Sequence, residues 1–285
     1  MRPAGQRQRN TDGFRRRVPL RSVEWDRRLP RIVLVVGACL AATGCEPTVV
    51  IGARVCPTAD TADDAAPPVD AAVPLTWSNG FENGFCDFAP PLRYCIATGA
   101  STYSLVTSPV HSGRYAAAFT AISDADGGSQ VRCVEQGVFP SVAYYGAWYY
   151  VPQTAKVGIL WNLFHFLGGV PGQTHGLWDV SLVNQSDGGV HVALYDFLNG
   201  ATPDAGAVPA IPIGQWFHLE VYFKRAKDTM GELSVWQDGV LAVHLTGLAT
   251  DDTDWGQWYI GNLATDLVPP ASTVYVDDIT MGPSP

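Results

Sequence analysis

The sequence predicts an all-β protein over residues 75–285, built either as two packed antiparallel sheets or as a barrel. Three observations carry this. Short β-rich runs recur from Leu75 onward. Turn formers separate them, the chain holding 29 Gly and 21 Pro. Amphipathic helical stretches are scarce, which leaves sheet packing or closure as the way to bury apolar side chains.

The elements follow in chain order. Residues 1–45 read as an address rather than as structure. Arg27, Arg28 and Arg31 precede the apolar run Ile32–Ala42, and small residues follow. This is the layout of a secretory signal. The run is well short of the roughly 20 apolar residues a spanning helix needs, which excludes a transmembrane protein. The ending Ala42-Thr43-Gly44-Cys45 resembles the lipobox of bacterial lipoproteins. That resemblance implies acylation of Cys45 and a lipid anchor; a plain cleaved signal is the alternative. Residues 46–74 follow as an acidic Ala/Pro tether, since Thr58 to Val73 holds no aromatic residue and Pro67-Pro68 keeps the chain extended.

Charge divides at the same place. Residues 1–45 hold ten Arg and three acids; of 18 Lys+Arg and 27 Asp+Glu in all, 8 and 24 remain for residues 46–285, a net of −16. So acidic a body repels phosphate backbones, which argues against nucleic acid as a partner. Beyond Cys39 and Cys45, four cysteines remain: Cys56, Cys86, Cys95 and Cys133. An even number in an exported chain points to two disulfides. Three pairings are open, and the shortest loop joins Cys86 to Cys95. Zinc is the rival use, but no CxxC occurs.

Eleven strands are then predicted: 115–121, 130–138, 144–151, 158–166, 177–183, 190–197, 216–224, 232–237, 240–244, 257–262 and 273–281. The hairpin through Gln237-Asp238-Gly239-Val240 is the clearest, because Asp-Gly supplies the positive φ angles of a tight primed turn. Residues 199–212 form a Gly/Pro/Ala loop. His218, Glu220, Tyr222 and Lys224 alternate with Phe217, Leu219, Val221 and Phe223, the pattern of a half-exposed strand.

The stretch from Gln215-Trp216-Phe217-His218 to Gly231-Glu232-Leu233-Ser234-Val235-Trp236-Gln237-Asp238-Gly239 resembles the concanavalin A-like jelly rolls. Phe81-Glu82-Asn83-Gly84, Ser112-Gly113-Arg114-Tyr115-Ala116 and Val274-Tyr275-Val276-Asp277-Asp278-Ile279 add to the resemblance. It implies a two-sheet antiparallel jelly-roll sandwich over about residues 75–282, in a superfold that serves lectins, hydrolases, lyases and adhesion modules. The closest pattern is that of polysaccharide-lyase-like domains.

Strand alternation nominates a site. Gln130, Arg132, Val134 and Gln136 share a face of one strand, Trp148 and Tyr150 of a second, Trp161, Leu163 and His165 of a third, and His191, Ala193 and Tyr195 of a fourth. Gln130, Trp148, Tyr150 and Trp161 are the candidate sugar contacts, because C–H faces stack on rings and hydroxyls need directional partners. Arg132, His165, His191 and Tyr195 are the catalytic candidates of a lyase, which neutralises a uronate carboxylate and moves a proton beside it. Each has a structural reading too: packing for the tryptophans, a satisfied core imidazole for His165, an ion pair for Arg132. A hydrolase with Glu-x-Asp-x-x-Glu is disfavoured, since that spacing is absent. Glu82 with Asp277 or Asp278 is a candidate structural Ca²⁺ site, and 251–254 reads as a solvated acidic turn.

The sequence expectation is thus an exported, lipid-anchored, monomeric protein that binds extracellular polysaccharide. Lyase action on a uronate glycan is the first alternative and protein adhesion the second.

Overall fold

The structure, a computed structural model, describes residues 50–51, 70–123, 129–201 and 208–285. Cys45, Cys56 and the signal lie outside them. All the regular elements among the described residues are strands, in two antiparallel sheets. The larger runs in the order β1 (Val50–Ile51), β4 (Thr102–Val106), β5 (Ala116–Ile122), β15 (Ala271–Gly282), β7 (Val142–Tyr150), β11 (Trp216–Lys224), β12 (Gly231–Gln237) and β13 (Val240–Leu248), with β2 (Trp77–Asn79) also paired to β15. The smaller runs β10 (Val190–Asp196), β9 (Gln173–Asn184), β8 (Lys156–Val170), β14 (Trp255–Val268), β6 (Ser129–Val138) and β3 (Arg93–Ala97). This is a sandwich and not a barrel.

Every predicted strand is present. Four are additional, β1 to β4, and two of the pairings reach into the expected tether: β1 pairs with β4, and Ala72 bridges Val138 in parallel, placing Val73 in the core.

The core lies between the layers because every second side chain of each sheet turns inward. β11 alternates strictly, burying Phe217, Leu219, Val221 and Phe223. Rings meet across the layers: Tyr145 of β7 lies edge-on to Trp258 of β14 at 4.8 Å, Tyr149 meets Phe164 at 5.5 Å, and Phe166 meets Phe223 at 5.1 Å. Such edge contacts between ring quadrupoles add to plain area burial.

The disulfide differs from the expectation. Cys95 bonds Cys133, not Cys86. The reason is register: the two stand directly opposite on β3 and β6, with Cα atoms 4.0 Å apart. Cys86 is disulfide-bonded as well. The acidic turn also differs, because Asp251 is buried on Arg225 Nη1 at 2.5 Å, while Asp252 and Asp254 pair with His175 and Lys227.

Candidate functional site

The outward face of the six-stranded sheet gathers most of the chemistry. Cross-strand neighbours in register point to the same side. Register aligns Tyr94 of β3 with Val134 of β6, Val134 with Tyr259 of β14, Tyr259 with His165 of β8, His165 with Asp179 of β9, and Asp179 with Tyr195 of β10. One transverse row therefore carries a phenol, an apolar spacer, a second phenol, an imidazole, a carboxylate and a third phenol. Arg132 leans on this row, its guanidinium 3.5 Å above the Tyr259 ring.

Arg132 is able to sit there because its cross-strand partner is Gly261. A Cβ at Gly261 would lie 2.4 Å from the Val131 carbonyl and 2.7 Å from the Arg132 Cα, and the backbone there has φ +151°. Burial pushes the guanidinium below its ordinary pKa, partly countered by Tyr259, Tyr94 and Asp179. Its Nε is buried without a hydrogen-bond partner. No carboxylate among the described residues forms an ion pair with it; Glu135, three residues on, is taken by Arg93 in a two-pronged pair.

His165 turns Nδ1 to Asp179 in a close polar contact. The contact is misaligned for a hydrogen bond, and neither Asp179 oxygen nor His165 Nε2 has a hydrogen-bond partner among the described residues. With Nδ1–H held towards the carboxylate, Nε2 carries the lone pair. The ring lies 5.6 Å from those of Tyr259 and Phe197. Tyr259 donates its hydroxyl proton to Gln257 Oε1, and Gln257 Nε2 donates to Gln136 Oε1 at 2.8 Å and to the Tyr94 hydroxyl at 3.3 Å. Gln136 is fixed in turn by the Pro91 carbonyl at 2.8 Å. Burial, eased by Arg132, pushes the Tyr259 phenol up to about 12. It is therefore a protonated donor at neutral pH. Tyr94, Gln136, Gln257 and Tyr259 line a cleft of about 320 Å³ with Pro171, Gly172 and Thr174.

Of the residues nominated from sequence, Arg132, His165 and Tyr195 reach this face, and Gln130 lies two residues from Arg132 on the same strand side. The rest do not. Trp161 is fully buried in the core, its Nε1 donating to Asn262 Oδ1 at 3.1 Å. A β-bulge between Asn162 and Phe164 inserts one residue, so Trp161 and His165 end on opposite faces. Trp148 and Tyr150 belong to β7 of the other sheet, where Trp148 stacks on His111 at 3.8 Å and Tyr150 packs with Trp216 and Tyr275. His191 is buried with both ring nitrogens occupied, Nδ1 by the Val208 carbonyl at 3.1 Å and Nε2 by Asp187 at 2.8 Å. It has no nitrogen left for a substrate. Asp179, Tyr259, Gln257 and Tyr94 are absent from the sequence-based candidates, and Gln136 is aligned there with Arg132 without being given a role. The available signal was the alternation of Gln257 and Tyr259 with Trp258 and Ile260 in a predicted strand.

The candidate calcium residues come near one another but serve the backbone. Glu82 Oε1 accepts from the Arg114 and Tyr115 amides at 2.7 and 3.1 Å. Asp277 accepts from the His111, Ser112 and Asp278 amides, and Asp278 from the Ser112 hydroxyl while facing His111 Nδ1 at 2.6 Å. Burial raises Asp277 to about 6. Among the described residues no group of three or more His, Cys, Asp or Glu is disposed to hold a metal, so as arranged these side chains do not fit a calcium cage of six to eight oxygens.

No family model matches the sequence, and no curated relative does. Solved structures do. An endo-β-1,4-glucuronan lyase from the fungus Trichoderma reesei superposes with a TM-score of 0.56 at 17% identity, covering 73% of this chain and 95% of that one. An alginate lyase, Aly36B, solved with an alginate trisaccharide, gives 0.52 at 12% over 73% and 98%. The cellulose-induced protein Cip1 gives 0.51 at 17% over 73% and 97%. At such identities the likeness is one of fold, and on that ground this chain has the concanavalin A-like jelly-roll fold that these solved structures share.

Proposed function

We propose that the protein is a polysaccharide lyase acting by β-elimination on a uronate-containing glycan. The observation that carries this is Arg132: a half-buried cation without a carboxylate partner among the described residues, beside a protonated phenol and an oriented imidazole. In this reading the substrate carboxylate supplies the missing counter-ion. The guanidinium then stabilises the dianion that forms when the C5 proton leaves. His165 Nε2 takes that proton, with Asp179 holding the ring. The C4–C5 double bond forms as the C4–O glycosidic bond breaks. Tyr259 gives its proton to the departing oxygen, and the Gln257–Gln136 chain fixes the phenol. The activities of two superposable structures, lyases of glucuronan and alginate, support the same class.

The test is ultraviolet absorbance of the unsaturated uronate product across glucuronan, alginate, pectate and glycosaminoglycans. Turnover of one of them supports the lyase. Calorimetric binding without turnover assigns a non-catalytic glycan-binding module instead. Neither binding nor turnover ends both readings and leaves adhesion to a protein partner.

Export behind residues 1–45, lipid attachment at Cys45 and a monomeric state belong to the same proposal. Radiolabelled fatty acid appearing in the protein, and lost in C45A, tests the anchor. Calcium at Glu82, Asp277 and Asp278 would require the present hydrogen bonds to be exchanged, and a melting temperature that responds to Ca²⁺ and to chelator is its test.

A further inference from the structure

A second cleft, of about 420 Å³, lies on the opposite side of the molecule, on the outward face of the nine-stranded sheet. Register builds it. Tyr144 of β7 is aligned with Tyr222 of β11, Tyr222 with Ser234 of β12, and Ser234 with His244 of β13. Glu220 and Trp236 face each other in the next row. Tyr144 and Tyr222 have ring centroids 5.0 Å apart, and Tyr144 and Trp236 6.4 Å apart, the latter pair inclined by only 30°. All three rings are half-buried. They are held by the sheet yet keep one face open. Ser234 Oγ and His244 Nδ1 share a hydrogen bond of 2.8 Å, and Glu232 lies 3.9 Å from the same nitrogen.

We infer that this cleft is a second glycan site, which takes a neutral hexose polysaccharide rather than a uronate. The rings offer stacking surface to pyranose C–H faces, and the hydroxyl, imidazole and carboxylate offer directional partners to sugar hydroxyls. Charge selects the class. No Lys or Arg lines the cleft, and Glu232 does; Lys224, the nearest cation by register, is directly opposite Glu232. A polyuronate would meet a carboxylate in a cleft that no Lys or Arg lines, whereas sugar hydroxyls can donate hydrogen bonds to it. Burial, then Glu232 and Tyr144, push the Tyr222 phenol above its ordinary pKa, which keeps it a donor. The six-stranded face has the opposite character, with Arg132 on it. The inference does not depend on the lyase reading, since the two sites share no residue.

Affinity electrophoresis of the full chain separates the two sites. Gels would contain hydroxyethylcellulose, barley β-glucan or galactomannan as neutral polymers, and alginate or polygalacturonate as charged ones. At least one neutral polymer is expected to retard the protein, with affinity falling roughly tenfold or more in W236A and in Y222A through loss of ring stacking. R132Q is expected to bind that neutral polymer as the parent does. Leu241→Asp, at an exposed position lining the same cleft, is expected to weaken binding too, and serves if W236A fails to fold. Three results would overturn the inference: no retardation by any neutral polymer, retardation undiminished in the cleft variants, or retardation abolished by R132Q. Loss of alginate or polygalacturonate binding in R132Q with neutral binding intact leaves this inference standing and reports on the other face alone.

Discussion

Replacing Arg132 by Gln separates a site residue from a structural one, because function and stability should respond in different ways. Two charge-assisted hydrogen bonds from the guanidinium to a substrate carboxylate, at about 1.5–3 kcal/mol each, amount to about 3–6 kcal/mol, or roughly 10²–10⁴-fold in kcat/KM. The fold has less to lose. Stacking over Tyr259 at 3.5 Å contributes about 0.5–2 kcal/mol. The buried, unpartnered Nε costs about 1–3 kcal/mol. These terms oppose each other, so the net change in stability should lie between about 1 kcal/mol lost and about 2.5 kcal/mol gained. Urea unfolding of R132Q beside its kcat/KM on a cleaved polyuronate measures both. A stability loss above about 3 kcal/mol, or a kcat/KM within about tenfold of the parent, would refute the assignment and make Arg132 a packing cation.

Four further single variants test the rest. D179N should lower kcat/KM by roughly 10²–10⁴-fold on a cleaved polyuronate, since the imidazole loses the group that orients it; H165A should lower it as far, and the double variant no further than either. E135Q should cost about 2–3 kcal/mol in urea unfolding, because it strands Arg93, which also lies over the Trp77 ring at 4.9 Å; an unchanged midpoint would show the pair to be idle. Y259F should abolish turnover and also change alkaline stability. The Tyr259 phenol is held at about 12 against 10.0 for a free tyrosine. Folding therefore favours its protonated form, and stability is lost as pH rises from 10 towards 12, by about 3 kcal/mol at most. Relative to the parent, Y259F should lose less stability on going from about pH 9 to about pH 11.5, and parallel losses would place the phenol in solvent.

The fold was largely legible because its long strands advertise themselves. β11 alternates without a break, and Asp238-Gly239 marks the β12–β13 turn with φ angles of 51° and 75°. The short strands β3 and β4, of five residues each, carry too little pattern to be seen beside the prolines and glycines that flank them. Without β3 in the pattern, both Tyr94 and the opposition of Cys95 to Cys133 stay hidden, and the shortest loop points to Cys86 instead. The site was legible only where alternation holds. Arg132 and Tyr195 lie on uninterrupted stretches, whereas a single bulge before Phe164 moved Trp161 to the core while His165 stayed outside. Which of two outward faces a strand contributes to is decided by sheet membership, and Trp148 and Tyr150 went astray for that reason alone.

The charge balance acquires a physical meaning from this arrangement. With 24 acidic against 8 basic residues after Cys45, almost any arginine in the body could have been given a carboxylate. Arg93 has Glu135 and Arg225 has Asp251. Arg132 has an aromatic ring, and the nearest buried carboxylate on its face, Asp179, is turned to His165 instead. A cation kept from its own protein's abundant anions stays available only if the groups around it are neutral, and Tyr94, Tyr259, Gln136 and Gln257 are all neutral at physiological pH. The same surplus of acid excludes polyanions elsewhere on the surface by long-range repulsion. On the proposed reading, a uronate chain is drawn to the face where the Arg132 guanidinium, without a carboxylate ion pair among the described residues, outweighs that repulsion at short range, and its carboxylate would then be held beside Tyr259 and His165.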